Sequence, residues 1–234
     1  MNIGIIGATG NIGRRIADEA LRRGHRVTAI ARDASRVPPE KSGKVAWKVA
    51  DVFDPEGLAR ALDDVDVLVS TYQPGNASID IADTIQRSIA DPSVYAAAAR
   101  SMLRAIERTR PSMRLIVVGG AGSLEIRPGL ALVDSPDAEA RLEKLGIPKE
   151  YKVAVEGHRD ALNVLRLSNR NWTYVSPAEQ IRAGERTGRF RLGDNQPVLD
   201  RDGESRISYE DLAVALIDEV EIPKYVQRRF TLGY

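Results

Sequence analysis

Three glycines at a three-residue spacing stand directly behind an apolar run near the start of the chain. The stretch is GIIGATGNIGRR, with Gly7, Gly10 and Gly13 as the repeated positions. A glycine at 7 lets the chain turn tightly out of a strand. One at 10 lets the backbone approach a ligand with no Cβ in the way, and one at 13 lets a helix pack closely on the strand. The amides of Thr9, Gly10, Asn11, Ile12 and Gly13 then crowd around a helix start, which carries about half a positive charge. Such a place suits a pyrophosphate, so the motif points to a dinucleotide.

The next apolar run, RVTAIARD, ends in a second chemical position. Binding the ribose hydroxyls of NAD calls for a carboxylate there. This chain has Arg32, with Ser35, Arg36 and Arg14 available nearby. A guanidinium grips a 2′-phosphate through charge-assisted hydrogen bonds. NADP(H) is therefore the expected cofactor and NAD(H) the alternative, with Asp33 as the rival group that could turn toward ribose.

Groups for proton chemistry are few. A tyrosine can exchange a proton with an alcohol oxygen when a lysine one helical turn away lowers its pKa. Here Tyr151 is followed directly by Lys152, and adjacent helical residues face different sides. An ordinary alcohol dehydrogenase is not expected. A hydride acceptor that needs no enzymic acid fits better, such as a flavin or quinone held against the nicotinamide. Ser123 is the first candidate for orienting it and Tyr151 the second. Of the two histidines, His25 sits in a turn and His158 on an apolar helix face, which reads as packing. VVGGAGS lacks the G-x-S-x-G order of a nucleophile elbow. With no cysteine and no carboxylate–histidine cluster, neither a thiolate nucleophile nor a metal site is expected.

Elements must position these groups. Apolar runs at 2–6, 26–31, 45–50, 65–70, 113–118 and 171–176 read as strands. Amphipathic periodicity predicts helices over 11–23, 55–62, 93–108 and 150–167, with a further helix within 72–92. Strand and helix alternate, and continuously apolar strands mean burial on both faces. The expectation is an α/β doubly wound parallel sheet. After Pro177 the pattern changes. GRFRLGDNQPVLD reads as a hairpin turning at residues 193–195. SRISYEDLAVALIDEVE reads as a helix capped by Ser208, with Asp211 reaching back, and RRFTLGY as a closing strand. Residues 1–234 are expected to form one domain, with 177–234 a small α+β elaboration over the substrate side.

The 234 residues carry a net charge of +1 and only 5% aromatics, which argues against a nucleic-acid partner. No apolar stretch approaches the roughly 18 residues that span a bilayer, and no signal peptide is evident. A cytoplasmic monomer or homodimer is expected.

GIIGATGNIGRRI, VTAIARD, ADVFDPEGL, VDVLVS, LIVVGGAGSL, YVSPAE, GERTGRFRLG and SRISYEDLAVALIDEVE together resemble the NAD(P)H-flavin reductase family. These are atypical short-chain reductases related to NmrA-like proteins and to biliverdin reductase B. The resemblance runs in order across most of the chain. It implies an NADP-binding Rossmann domain, with Asp51 and Val52 at the adenine and Ser70, Thr71 and Tyr72 beside the cofactor. It also places Gly119, Gly120 and the following residues to Ser123 along the nicotinamide, with 177–180 closing over it. Residues 72–95 look longer than the family carries, over the acceptor site. The leading expectation is an NADPH-dependent oxidoreductase acting on a planar acceptor. A non-catalytic NADP(H)-sensing regulator is the alternative, and an NAD-dependent epimerase or dehydratase ranks last.

Overall fold

The computed structural model describes residues 1–37 and 45–234; the Arg36 side chain is not among them, so the role expected of it lies outside the described residues. In chain order the strands are β1 (Asn2–Ile6), β2 (Arg26–Ala31), β3 (Val45–Val49), β4 (Val67–Ser70), β5 (Arg114–Val118), β6 (Glu125–Arg127), β7 (Leu130–Ala131), β8 (Trp172–Ser176), β9 (Gln180–Arg182), β10 (Arg191–Gly193), β11 (Arg206–Ser208) and β12 (Arg228–Gly233). The helices are α1 (Asn11–Arg22), α2 (Pro55–Ala61), α3 (Ile81–Ala90), α4 (Val94–Thr109), α5 (Ala138–Lys144), α6 (Lys152–Arg166) and α7 (Tyr209–Glu221). The main sheet runs β3-β2-β1-β4-β5-β8-β12-β10 and is parallel apart from β10. This is the doubly wound Rossmann arrangement that the alternation predicted.

Continuous apolar strands serve two cores at once, because successive side chains leave opposite faces. Ile3, Ile5, Ala29 and Val69 pack with Ile16 and Ala20 of α1 and Leu212 and Leu216 of α7. Ile6, Ile30, Leu68 and Leu115 pack on the other face with Leu58, Met102, Ile106 and Leu162. Strand β1 pairs with β2 on one side and β4 on the other. The chain order reverses there, so the helices leave in opposite directions and a crevice opens at the strands' carboxyl ends.

Three local expectations are corrected. The first is the hairpin. Strand β10 pairs antiparallel with β12, Arg191 opposite Gly233, and not with the residues that follow it. Pro197 has no amide to give a ladder. Asn195 is held elsewhere: its carbonyl accepts from the Glu125 amide at 2.8 Å and its side-chain oxygen from Arg229 at 2.7 Å. The second is the cap of α7. The Ser208 hydroxyl accepts from the Asp211 amide at 2.9 Å, as expected. The Asp211 carboxylate does not reach back. It accepts from the Thr187 hydroxyl at 2.6 Å, the Gly188 amide at 2.7 Å and the Tyr234 hydroxyl at 3.0 Å. The third concerns the tail. Strand β12 extends the main sheet beside β8, and α7 covers that sheet next to α1. Only the neighbourhood of β9 and β11 reaches the crevice.

Charge also ties the tail to α1. Glu19 is buried and accepts from Arg23 at 2.8 Å and from Arg186 at 2.7 and 2.8 Å. Arg23 in turn donates to Asp218 at 2.6 Å and Glu221 at 2.8 Å on α7.

Two outcomes follow from these buried carboxylates. Asp211→Ala leaves three donors without their acceptor and is expected to cost about 2–3 kcal/mol in urea unfolding. The Arg186 guanidinium, opposed by burial and helped by Arg23, holds the Glu19 carboxyl at about 2, below its usual 4.5. On acidification the unfolded chain binds this proton first, so the stabilisation is present above about pH 4.5 and is lost toward pH 2. Glu19→Gln should flatten the rise of stability with pH across that window by on the order of 2–3 kcal/mol, measured by urea midpoints at stepped pH.

Candidate functional site

The crevice at the reversal point is a cleft of about 910 Å³. Its floor at one end is the turn from β1 into α1. Gly7 has φ +82°, and a Cβ there would sit 2.5 Å from the Thr71 hydroxyl oxygen and 3.0 Å from the Thr71 carbonyl oxygen. A Cβ on Gly13 would sit 2.2 Å from the Gly7 carbonyl oxygen, inside the backbone itself. Gly10 is different: its Cβ would meet only that carbonyl oxygen, at 3.2 Å. Packing therefore demands glycine at 7 and 13, while position 10 borders the open cleft.

Helix α1 starts beside this floor with no side-chain cap and no acidic residue in its first turn. Asp54, Asp80 and Ser208 cap α2, α3 and α7. The first amides of a helix have no partner within it, and here no side chain of the cap position takes one. Gly7, Thr9, Gly10, Asn11 and Ile12 all line the cleft. The cradle fits a pyrophosphate.

The next wall carries Arg32, Asp51, Val52, Phe53 and Tyr72. The Asp51 carboxylate accepts from the Phe53 amide at 2.9 Å. Phe53 and Tyr72 meet edge to face, with ring centroids 5.6 Å apart. Burial pushes the Tyr72 phenol up to about 12. The rival to Arg32 is occupied: Asp33 caps a short 3-10 turn, accepting from the Ser35 amide at 3.0 Å and also from the Ser35 hydroxyl. That hydroxyl, expected beside a phosphate, is thereby engaged. Arg14 is held at Asn11, 3.1 Å away, and does not line the cleft. Thr71 lines it and braces the turn, its hydroxyl lying 3.0 Å from the Ile6 carbonyl and 3.3 Å from that of Gly7.

Several expected contacts are not brought there. Ser70 is wholly buried, and its hydroxyl accepts from the Tyr72 amide at 3.3 Å. Gly119 and Gly120 do not line the cleft. A Cβ on Gly119 would run into the Tyr174 phenol, so this glycine makes room for a buried tyrosine. Ser123 is buried, and its hydroxyl and carbonyl both accept from Arg229, at 3.1 and 2.5 Å. The first candidate for orienting an acceptor is thus turned away from the cleft.

The second candidate is in it. Tyr151 lines the cleft where α6 begins, and burial raises its phenol pKa against hydrogen bonds from Tyr95 and Ser88 that lower it. Behind it stands a neutral network that the sequence pattern did not expose. The Tyr95 hydroxyl lies 2.9 Å from both Gln73 Oε1 and Ser88 Oγ. Gln73 Nε2 is 3.3 Å from His158 Nε2, and the His158 ring lies 3.8 Å from that of Tyr95. Burial lowers His158 to about 4 and raises Tyr95. Gln73 and Ser88 belong to the long segment between β4 and α4, and Tyr95 stands in the first turn of α4. Their signal was only that segment's length.

The remaining wall is largely apolar, with Leu145 and Ile147 beyond α5, Ile181 on β9, and Ile81 and Ile85 on α3, interrupted by Thr84, Gln180, Arg182 and Tyr209. Ser78 in the long segment reaches the glycine turn, its hydroxyl 3.3 Å from the Thr9 carbonyl. Among the described residues no group of three or more histidine or carboxylate side chains could hold a metal, and no helix is long and apolar enough to cross a membrane.

A doubly wound sheet with a glycine cradle at its reversal point defines a Rossmann-type dinucleotide-binding protein. The chain belongs to the NAD(P)H-binding family, whose model matches residues 7–223. It is 34% identical to the uncharacterized protein YwnB of Bacillus subtilis over 99% of this chain and 98% of that one. Two solved structures are similar over their whole length. A provisionally named exported protein of Burkholderia pseudomallei has 38% identity and a TM-score of 0.81, with 100% of each chain covered. A provisionally named NADH-flavin reductase of Streptococcus pneumoniae has 30% identity and a TM-score of 0.78, covering 100% of this chain and 99% of that one. Membership agrees with the resemblance read from the sequence motifs.

The glycines separate experimentally. Gly13→Ala must displace backbone and should lower both stability and NADPH affinity. Gly10→Ala should cost the fold only about 1 kcal/mol yet weaken NADPH binding by about tenfold or more, read by nucleotide fluorescence titration beside a thermal melt.

Proposed function

We propose that this protein is an NADPH-dependent oxidoreductase that reduces a planar acceptor, a flavin or a quinone. The observation that carries the reading is the cleft's composition from end to end. It begins at an uncapped helix start and continues into a largely apolar slot that the half-buried Tyr151 phenol lines. When bound, the nicotinamide supplies a hydride. The chain's own residues do the rest.

The amides at the start of α1 hold the pyrophosphate, and Arg32 holds the 2′-phosphate, with Asp33 committed to Ser35. Leu145, Ile147 and Ile181 exclude water from one side of the slot. Tyr151 keeps its proton, because burial disfavours the phenolate. It therefore donates a hydrogen bond to an acceptor oxygen or nitrogen and does not act as a base. His158, neutral and stacked on Tyr95, keeps the adjoining wall rigid and uncharged. A flavin or quinone needs no more, since water can complete its protonation.

Steady-state NADPH oxidation with flavin and quinone acceptors tests this reading. Arg32→Ala should weaken NADPH by about ten- to a hundredfold and leave NADH nearly unchanged. Tyr151→Phe should weaken the acceptor by about three- to tenfold. Tyr151 titrates above its usual range and His158 at about 4, so kcat/KM should stay flat from about pH 6 to 9. Tight NADPH binding with no turnover over the whole panel would instead mark a nucleotide sensor.

A further inference from the structure

A second cavity of about 560 Å³ adjoins the far end of the cleft. Lys144, Leu145, Glu179, Gln180 and Glu204 line both spaces and form the threshold between them. Glu204 accepts from Lys144 at 2.9 Å through one oxygen and from Gln180 at 2.7 Å through the other. Arg141 joins Glu179 to Asp137, at 3.3 and 2.8 Å.

The two spaces differ in chemistry. The cleft beside Tyr151 is walled by Leu145, Ile147 and Ile181. The annex carries Glu125, Asp137, Glu179 and Glu204 against Arg141 and Lys144, an excess of two carboxylates. Both cations already face carboxylates. Ionised carboxylates only accept hydrogen bonds. A ligand group that donates is matched there, and an anionic group meets net repulsion in a recess that solvent screens less than open surface.

We propose that the annex is the subsite for the acceptor's polar substituent and selects an uncharged hydroxyl-rich chain over a phosphorylated or carboxylated one. The inference rests on the reading of the cleft as a site for a planar acceptor. The ring lies in the apolar slot, and its substituent crosses the Lys144–Glu204 threshold. Three flavins share one ring and differ only in this substituent: lumiflavin has a methyl group, riboflavin a ribityl chain, and FMN a ribityl phosphate.

The experiment titrates each flavin, by quenching of its fluorescence, into the protein saturated with NADP⁺, and measures NADPH-dependent reduction in parallel. Riboflavin should bind about tenfold more tightly than lumiflavin, and FMN about tenfold more weakly than riboflavin. Glu125 lines the annex but not the cleft. Glu125→Gln should narrow the riboflavin–FMN gap by about threefold, and Glu125→Lys should close or reverse it, each with lumiflavin unchanged. Equal affinity for the three flavins, or a gap that ignores both variants, overturns the annex while leaving the acceptor slot standing. Failure of lumiflavin itself to bind or be reduced overturns the slot and the annex together.

Discussion

The Gly7 carbonyl is the point on which this site depends. It accepts from the Gly10 amide at 2.9 Å, lies 3.3 Å from the Thr71 hydroxyl, and would be 2.2 Å from any Cβ at residue 13. The start of α1 can aim its amides into the crevice only because helix and turn touch backbone to backbone. A single methyl group at 13 would lift the helix from the turn. The exposed helix start is thus a consequence of packing density, and the first amides of a helix have no partner within it.

Electrostatics divide the cleft into regions. The cation at the end of β2 and the uncapped helix start lie along one end of the cleft. The middle is neutral: the half-buried Tyr151 phenol, the buried Tyr95 phenol and the buried His158 imidazole are all held in their uncharged forms by desolvation. Charge reappears at Arg182 and at the threshold of the annex. On the proposed reading, an acceptor ring that gains a hydride benefits from such a neutral slot, because fixed charges would bias its electronics and attract water.

The C-terminal residues hold this geometry from outside. Asp211 gathers the 187–188 turn and Tyr234 onto the start of α7, and Glu19 with Arg23 and Arg186 joins α1 to the same region. Helix α1 is therefore clamped on its sheet face by apolar contacts and on its outer side by ion pairs to the buried Glu19. The helix that carries the cradle is also the most heavily anchored by the tail. That is the reason a stretch which reads as an elaboration is part of the main architecture.

The amino-acid sequence by itself determined the parallel doubly wound sheet, the turn glycines and the cation at the end of β2. Each depends on residues close in the chain: an apolar run, a glycine spacing, a strand end. Asp54 capping α2 and Ser208 capping α7 were legible for the same reason. What only the tertiary structure decided were contacts between distant segments. Ser123 looked free to orient an acceptor until Arg229, 106 residues away, took its hydroxyl. Strand β10 looked like half of a local hairpin, but its ladder is made with β12. The network of Gln73, Ser88, Tyr95 and His158 exists because α3, α4 and α6 converge on Tyr151, and no short spacing encodes that convergence. Local patterns carry backbone propensity and periodicity. Which side chain reaches a cleft is set by competition among all the partners that folding brings within hydrogen-bond range, and that competition is settled only in three dimensions.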